Sequence, residues 1–173
     1  MLPHLSEIES RGYPYYFLVT VTGYPRLLEP AVPRADEAVA FFRELIGRIG
    51  RRRVIWRYDP VLFSEQTTFD FHVENFSRLA GLLSPFTSRV IVSFFDPYAK
   101  ANRRLKKIGV EAEKVAGSLE QQADLLGRFA QVAAVAGLEI QSCAEAALAA
   151  GVRPGKCVDE GLLNELFNLN LAY

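Results

Sequence analysis

Arg57 is the residue whose surroundings first call for chemistry. It follows Val54, Ile55 and Trp56, and a guanidinium set among core side chains needs an anionic partner. Asp59 stands two positions further on, before Pro60, and the same step recurs as Asp96-Pro97 after the run R-V-I-V-S-F-F. An Asp-Pro step has a plainer role as well, since it ends a strand and starts a turn; Arg57 with Asp59 is then a structural pair. Two other apolar runs also end in hydrogen-bonding groups, one in Thr20, Thr22 and Tyr24, the other in Gln141, Cys143 and Glu145. Ser93 and Tyr98 flank Asp96 in the same way. The candidates for catalysis are therefore Arg57, Asp59, Asp96 and Glu145. Those for substrate binding are Thr22, Tyr24, Ser93, Tyr98, Gln141 and Cys143. A planar guanidinium flanked by carboxylates suits a small anionic ligand, and above all the carboxylate and amino groups of an amino-acid-like moiety.

Other residues carry less. His4 and His72 have no second histidine at metal-ligand spacing, so no metal site is expected. Cys143 and Cys157 are too few and too far apart for a zinc knuckle or a disulfide framework. No histidine is near Cys143 in sequence to activate it, and packing at a strand end is its expected role. The aromatic run Tyr13, Tyr15, Tyr16 and Phe17 reads as core. Charge is uneven, with 16 basic and 11 acidic residues up to Lys107 and 4 and 9 beyond it. The excess sits in Arg51, Arg52 and Arg53 and in Arg103, Arg104, Lys106 and Lys107. Such clusters could meet phosphates, including nucleic acid, or an acidic partner; equally, they are the cations expected at helix ends.

These residues need elements to hold them. The 173 residues, 50% hydrophobic and 23% charged, fit one globular domain and exclude wholesale disorder. No apolar run nears the ~20 residues of a membrane span, and no secretory signal opens the chain, so a cytoplasmic soluble protein is expected. Buried strands are predicted over residues 15–21, 53–58, 89–95 and 138–142. Helices are predicted over 35–49, 69–83, 98–108, 118–136, 144–150 and 161–167, the last two around an irregular Gly/Pro segment. Strands separated by helices must be parallel. Without a glycine-rich phosphate loop after any strand, the pattern predicts an α/β partial barrel of about four βα units rather than a nucleotide-binding open sheet. Four units are half of a full barrel, whose chemistry gathers at the C-terminal ends of its strands.

The motifs are more specific than the periodicity. G-Y-P-Y-Y-F-L-V-T-V-T-G-Y (12–24), L-E-P-x-V-P (28–33), R-V-I-W-R-Y-D-P (53–60), H-x-E-N-F (72–76), V-S-F-F-D-P-Y (92–98), I-Q-S-C-A-E (140–145) and P-G-K-C-V-D-E (154–160) together resemble an uncharacterised microbial family, the domain of unknown function 1848. The resemblance implies a partial β/α barrel with further strands upstream and a cysteine-rich tail downstream. That tail, C-x3-C-x2-C, resembles the cluster-binding segment of radical S-adenosylmethionine enzymes. This chain carries neither addition, so it reads as truncated at both ends. S-adenosylmethionine and a 4Fe–4S cluster are implied only if the missing C-terminal segment is supplied, and cluster ligation transfers to no residue here. A half-barrel leaves strand edges to be covered by a second copy or a partner.

Three function classes follow. The first is the barrel portion of a radical S-adenosylmethionine-type enzyme without its cluster segment. The second is a barrel enzyme acting on a small anion through Arg57, Asp59, Asp96 and Glu145. The third is a non-catalytic module that binds nucleic acid or protein.

Overall fold

Alternating side chains sort the strands into two faces, and a computed structural model, which describes residues 2–111, 115–143 and 151–171, shows what covers each. Five parallel strands run in the order β1 (Phe17–Thr20), β2 (Val54–Val61), β3 (Arg89–Phe94), β4 (Glu139–Cys143) and β5 (Arg153–Gly155). Among the described residues the sheet is open and strand order nowhere reverses, unlike the doubly wound arrangement.

One face carries the main core. Val54, Trp56 and Tyr58 of β2, Val90 and Val92 of β3 and Ile140 of β4 meet buried side chains of three helices. These are α2 (Ala35–Ile49), α3 (Phe69–Leu83) and α5 (Leu119–Ala136). Trp56 stacks on Phe76 at 4.9 Å between ring centroids and Phe76 on Phe129 at 4.1 Å. Tyr58 meets both phenylalanines edge-on. Offset and edge-on contacts of this kind add to the burial of large rings.

The helices start and stop where the sequence provides caps. Glu37 accepts from the Arg34 backbone N–H at 2.8 Å, Thr68 from Phe71 at 3.2 Å and Ser118 from Gln121 at 3.1 Å. Gly137 closes α5 at φ +67°, a left-handed conformation that glycine adopts without penalty.

The other sheet face is covered differently. Ile55 and Ile91 point there, and Leu162 of α6 (Glu160–Phe167) packs on them with Leu18, Tyr16 and Cys143 around it. Asp159 caps α6 and pairs with Arg89 at 2.8 Å, while Arg89 also holds Glu139 at 3.1 Å. The described chain also has two short α-helices, α1 (Leu5–Ser10) and α4 (Ala99–Lys107), and two 3-10 turns, Leu2–His4 and Arg51–Arg53.

Several boundaries differ from expectation. β2 does not end at Asp59-Pro60: it runs to Val61, with a register shift between Tyr58 and Val61 and a cis Asp59–Pro60 bond. The segment expected to be irregular contains β5, a fifth strand paired with β4. The four-strand count was too low because β5 is three residues long and contains Pro154, which hides it from any periodicity. The helix expected over 144–150 lies outside the described residues.

Candidate functional site

Parallel register carries residues of successive strands into rows. Thr20 lies opposite Arg57, Arg57 opposite Ile91, Ile91 opposite Gln141 and Gln141 opposite Arg153. One step towards the C-terminal ends, Asp59, Ser93 and Cys143 follow on the same face. Arg57 Nη2 forms an ion pair with Asp59 Oδ2 at 2.9 Å, so the expected partner is the actual one. Burial raises the Asp59 carboxyl above its ordinary range, and the neighbouring guanidinium opposes that rise.

Above this pair a cavity of about 710 Å³ opens at the ends of β2, β3 and β4. Arg57, Asp59, Ser93, Asp96, Tyr98 and Cys143 line it, with Phe94, Phe95 and Gln122. Six of the expected site residues thus share one concavity. Asp96 and Tyr98 are exposed at its mouth, whereas Ser93 is buried at its base.

Of the remaining four, Thr22, Tyr24 and Gln141 do not line it. Thr22 is fully buried and donates to the carboxylate of Glu29. Tyr24 is also buried; its hydroxyl donates to the Pro60 carbonyl at 2.7 Å and accepts from the Leu62 N–H at 3.2 Å. Tyr24 therefore braces the segment that carries Asp59 from behind. Tyr24 contributes an edge to a separate cavity of about 650 Å³, with Arg26, Glu29, Arg34 and Arg78. The side chain of Gln141 is buried; its Nε2 donates to Glu139 Oε1 at 3.0 Å, and its Oε1 has no partner among the described residues. Glu145 lies outside the described residues.

Behind the cavity is a hydrogen-bonded chain that residue types alone do not announce. His72 Nε2 lies 2.9 Å from the Leu62 carbonyl, which can only accept, so Nε2 carries the proton. His72 Nδ1 is then the acceptor for the Tyr58 hydroxyl at 3.0 Å. That hydroxyl accepts from Asn75 Nδ2 at 3.0 Å, and the same amide donates to the Thr22 carbonyl at 2.6 Å. Arg78 closes the chain by donating to Asn75 Oδ1 at 2.8 Å. Burial lowers the His72 imidazole from 6.5 to about 4, and raises the Tyr58 phenol. Both ring nitrogens of His72 are thereby engaged within the chain. The one signal in the sequence was the H-x-E-N-F motif, which sets His72 and Asn75 on one helical face.

The basic clusters separate. Arg51 donates to the Ser84 and Thr87 carbonyls at 2.9 and 2.8 Å. Arg52 pairs with Glu165, and Arg53 lies over the rings of Tyr15 and Phe167 at 5.4 and 4.5 Å. Arg103, Arg104, Lys106 and Lys107 on α4 are exposed. Among the described residues no group of three His, Cys, Asp or Glu side chains is placed to hold a metal ion, and no helix is long and apolar enough to cross a membrane.

Comparison with known proteins gives one match: the model of the family described as a domain of unknown function (DUF1848) covers residues 1–172. No curated protein and no solved structure matches the chain.

Proposed function

The chain belongs to the domain of unknown function family DUF1848, and from that premise we propose that its rim cavity binds the amino-acid end of a small molecule. Arg57 takes the carboxylate, Asp59 and Asp96 take the ammonium, and Ser93 and Tyr98 complete the hydrogen bonding. The observation that carries this reading is the Arg57–Asp59 pair opening, with Asp96, into one cavity at the strand ends. One cation and two carboxylates suit a zwitterion better than a simple anion, since each end of the ligand meets the opposite charge.

We read the sheet as part of a β/α barrel. Its sequential parallel order and the gathering of α2, α3 and α5 on one face support this. The family resemblance extends the ligand to S-adenosylmethionine, whose methionine end carries both groups. A 4Fe–4S cluster does not fit this chain. Cys143 and Cys157 are its only cysteines, and such a cluster takes three or four thiolates. The small-anion enzyme remains the alternative at the same residues. Nucleic acid is less favoured, because Arg51, Arg52 and Arg53 are engaged within the chain.

Thermal unfolding with L-methionine, S-adenosylmethionine, methioninamide and N-acetylmethionine tests the proposal. The first two should raise Tm in a concentration-dependent way, as ligands of the folded state do. Each blocked analogue should fail. Arg57→Lys keeps the charge and loses the planar fork, so affinity should fall roughly tenfold, about 1.4 kcal/mol, with little change in Tm of the free chain. Equal shifts from all four compounds, or none from any, would remove the amino-acid reading.

A further inference from the structure

The two cysteines, fourteen positions apart in sequence, meet in the fold, with Cys143 Sγ and Cys157 Sγ 3.6 Å apart. We propose that they are a reversible disulfide site beside the cavity, oxidised by low-molecular-weight disulfides of the glutathione type. This goes beyond the ligand reading and does not depend on it.

The backbone holds both partners in place. Cys143 is the last residue of β4 and lies opposite Gly155 of β5, two residues before Cys157. The strands approach closely there: a Cβ on Gly155 would come within 3.1 Å of the Gln141 Cβ. Beyond β5, the Tyr16 hydroxyl donates to the Cys157 carbonyl at 2.9 Å and accepts from the Asp159 N–H at 2.8 Å. Asp159 is fixed in turn by Arg89. Bond formation then has to close the sulfurs from 3.6 Å to about 2.05 Å.

Exposure sets the order of events. Cys157 is exposed and Cys143 partly buried, so the Cys157 thiolate, having lost its proton to water, attacks one sulfur of the small disulfide. One small thiolate leaves, and a mixed disulfide remains on Cys157. The Cys143 thiolate then attacks Cys157 Sγ and displaces the second small thiolate. The two protein thiols are oxidised and the small disulfide is reduced to two thiols, so atoms and electrons balance. Because Cys143 lines the cavity, oxidation replaces a thiol donor there with a sulfur that carries no proton. It also ties the end of β4 to the segment leading into α6. A metal is less suited to the pair, since no third ligand is grouped with it among the described residues.

The test equilibrates the full chain with glutathione and glutathione disulfide at graded ratios, quenches with acid, alkylates, and reads intact mass and peptide map. The expected result is loss of both thiols at the same ratio, a monomeric chain lighter by two hydrogens, and one linked peptide pair containing Cys143 and Cys157. A phosphine reductant should restore both thiols. Cys143→Ser should instead stop at a glutathione adduct on Cys157. Glutathione adducts on the unaltered chain with Cys143 still open to alkylation, or links between two chains, would overturn the proposal. The measurement on the unaltered chain stands even if the variant fails to fold.

Discussion

Tyr58 shows how much can depend on one hydroxyl. It is fully buried, donates to His72 and accepts from Asn75, and adjoins the residue pair that carries Asp59. Tyr58→Phe keeps the ring contacts, leaves His72 Nδ1 without its partner and removes one of the two bonds that Asn75 Nδ2 donates. The expected cost is about 1–3 kcal/mol in urea unfolding, and a loss near zero would mean that water replaces the hydroxyl. His72 gives a pH dependence whose direction follows from its lowered pKa. The folded chain binds this proton less readily than the unfolded one, so the contribution is complete above about pH 6.5 and is lost as pH falls towards about 4. The full effect is on the order of 3 kcal/mol. Asp59 and Glu29, both raised by burial, act in the opposite direction: their contribution is present in acid and lost as pH rises through their raised pKa values. Urea midpoints between pH 4 and 7 for the unaltered chain and for His72→Gln separate the two. The variant should lose the rise in stability with pH and keep the opposing fall from Asp59 and Glu29, and identical slopes would remove His72 as the cause.

Among the elements, α6 has narrow support. Leu162 is its one buried residue, set on Ile55 and Ile91, and the Arg89–Asp159 pair anchors its start. Leu162→Ala should cost about 2–3 kcal/mol, at the low end for a buried leucine because the cluster is small. Amide exchange in 160–167 should speed up before that in α3 or α5; uniform acceleration would show that α6 does not open on its own. The rim was legible in the sequence because the residues after parallel strands must share one end, and Arg57, Asp59, Ser93, Asp96, Tyr98 and Cys143 do. Thr22 and Tyr24 were given a ligand role that they do not take at this cavity, for a local reason. Gly23, at φ +62°, turns the loop after β1 so that these residues face Asn75 and Pro60. A Cβ there would come within 2.9 Å of Asn75 and Arg78, a constraint that exists only once α3 is in place. The Arg89–Glu139–Asp159 network was hidden because it joins segments far apart in the chain, and the cysteine contact because it depends on the pairing of β4 with β5.

At the scale of the molecule, the main core is continuous from α2 to α5, with Trp56 at its centre. As the only tryptophan and fully buried, it reports on that core alone. Its fluorescence and far-ultraviolet circular dichroism should lose their signals at the same urea concentration, as a cooperative transition requires. A separate earlier fluorescence change would divide the core into independent parts. The strand order has a further consequence, for how the chain is made. Each strand pairs with the one before it in sequence, so a chain emerging from the ribosome can add β2 to β1, then β3, β4 and β5, without opening a sheet already formed. The last described helix to emerge is α6, and it settles on a face the earlier strands have already built, bringing Asp159 to Arg89 and Cys157 to Cys143. Parallel pairings of such long sequence separation form slowly in a free chain, and delivery in the order of assembly spares each strand a search among partners that do not yet exist.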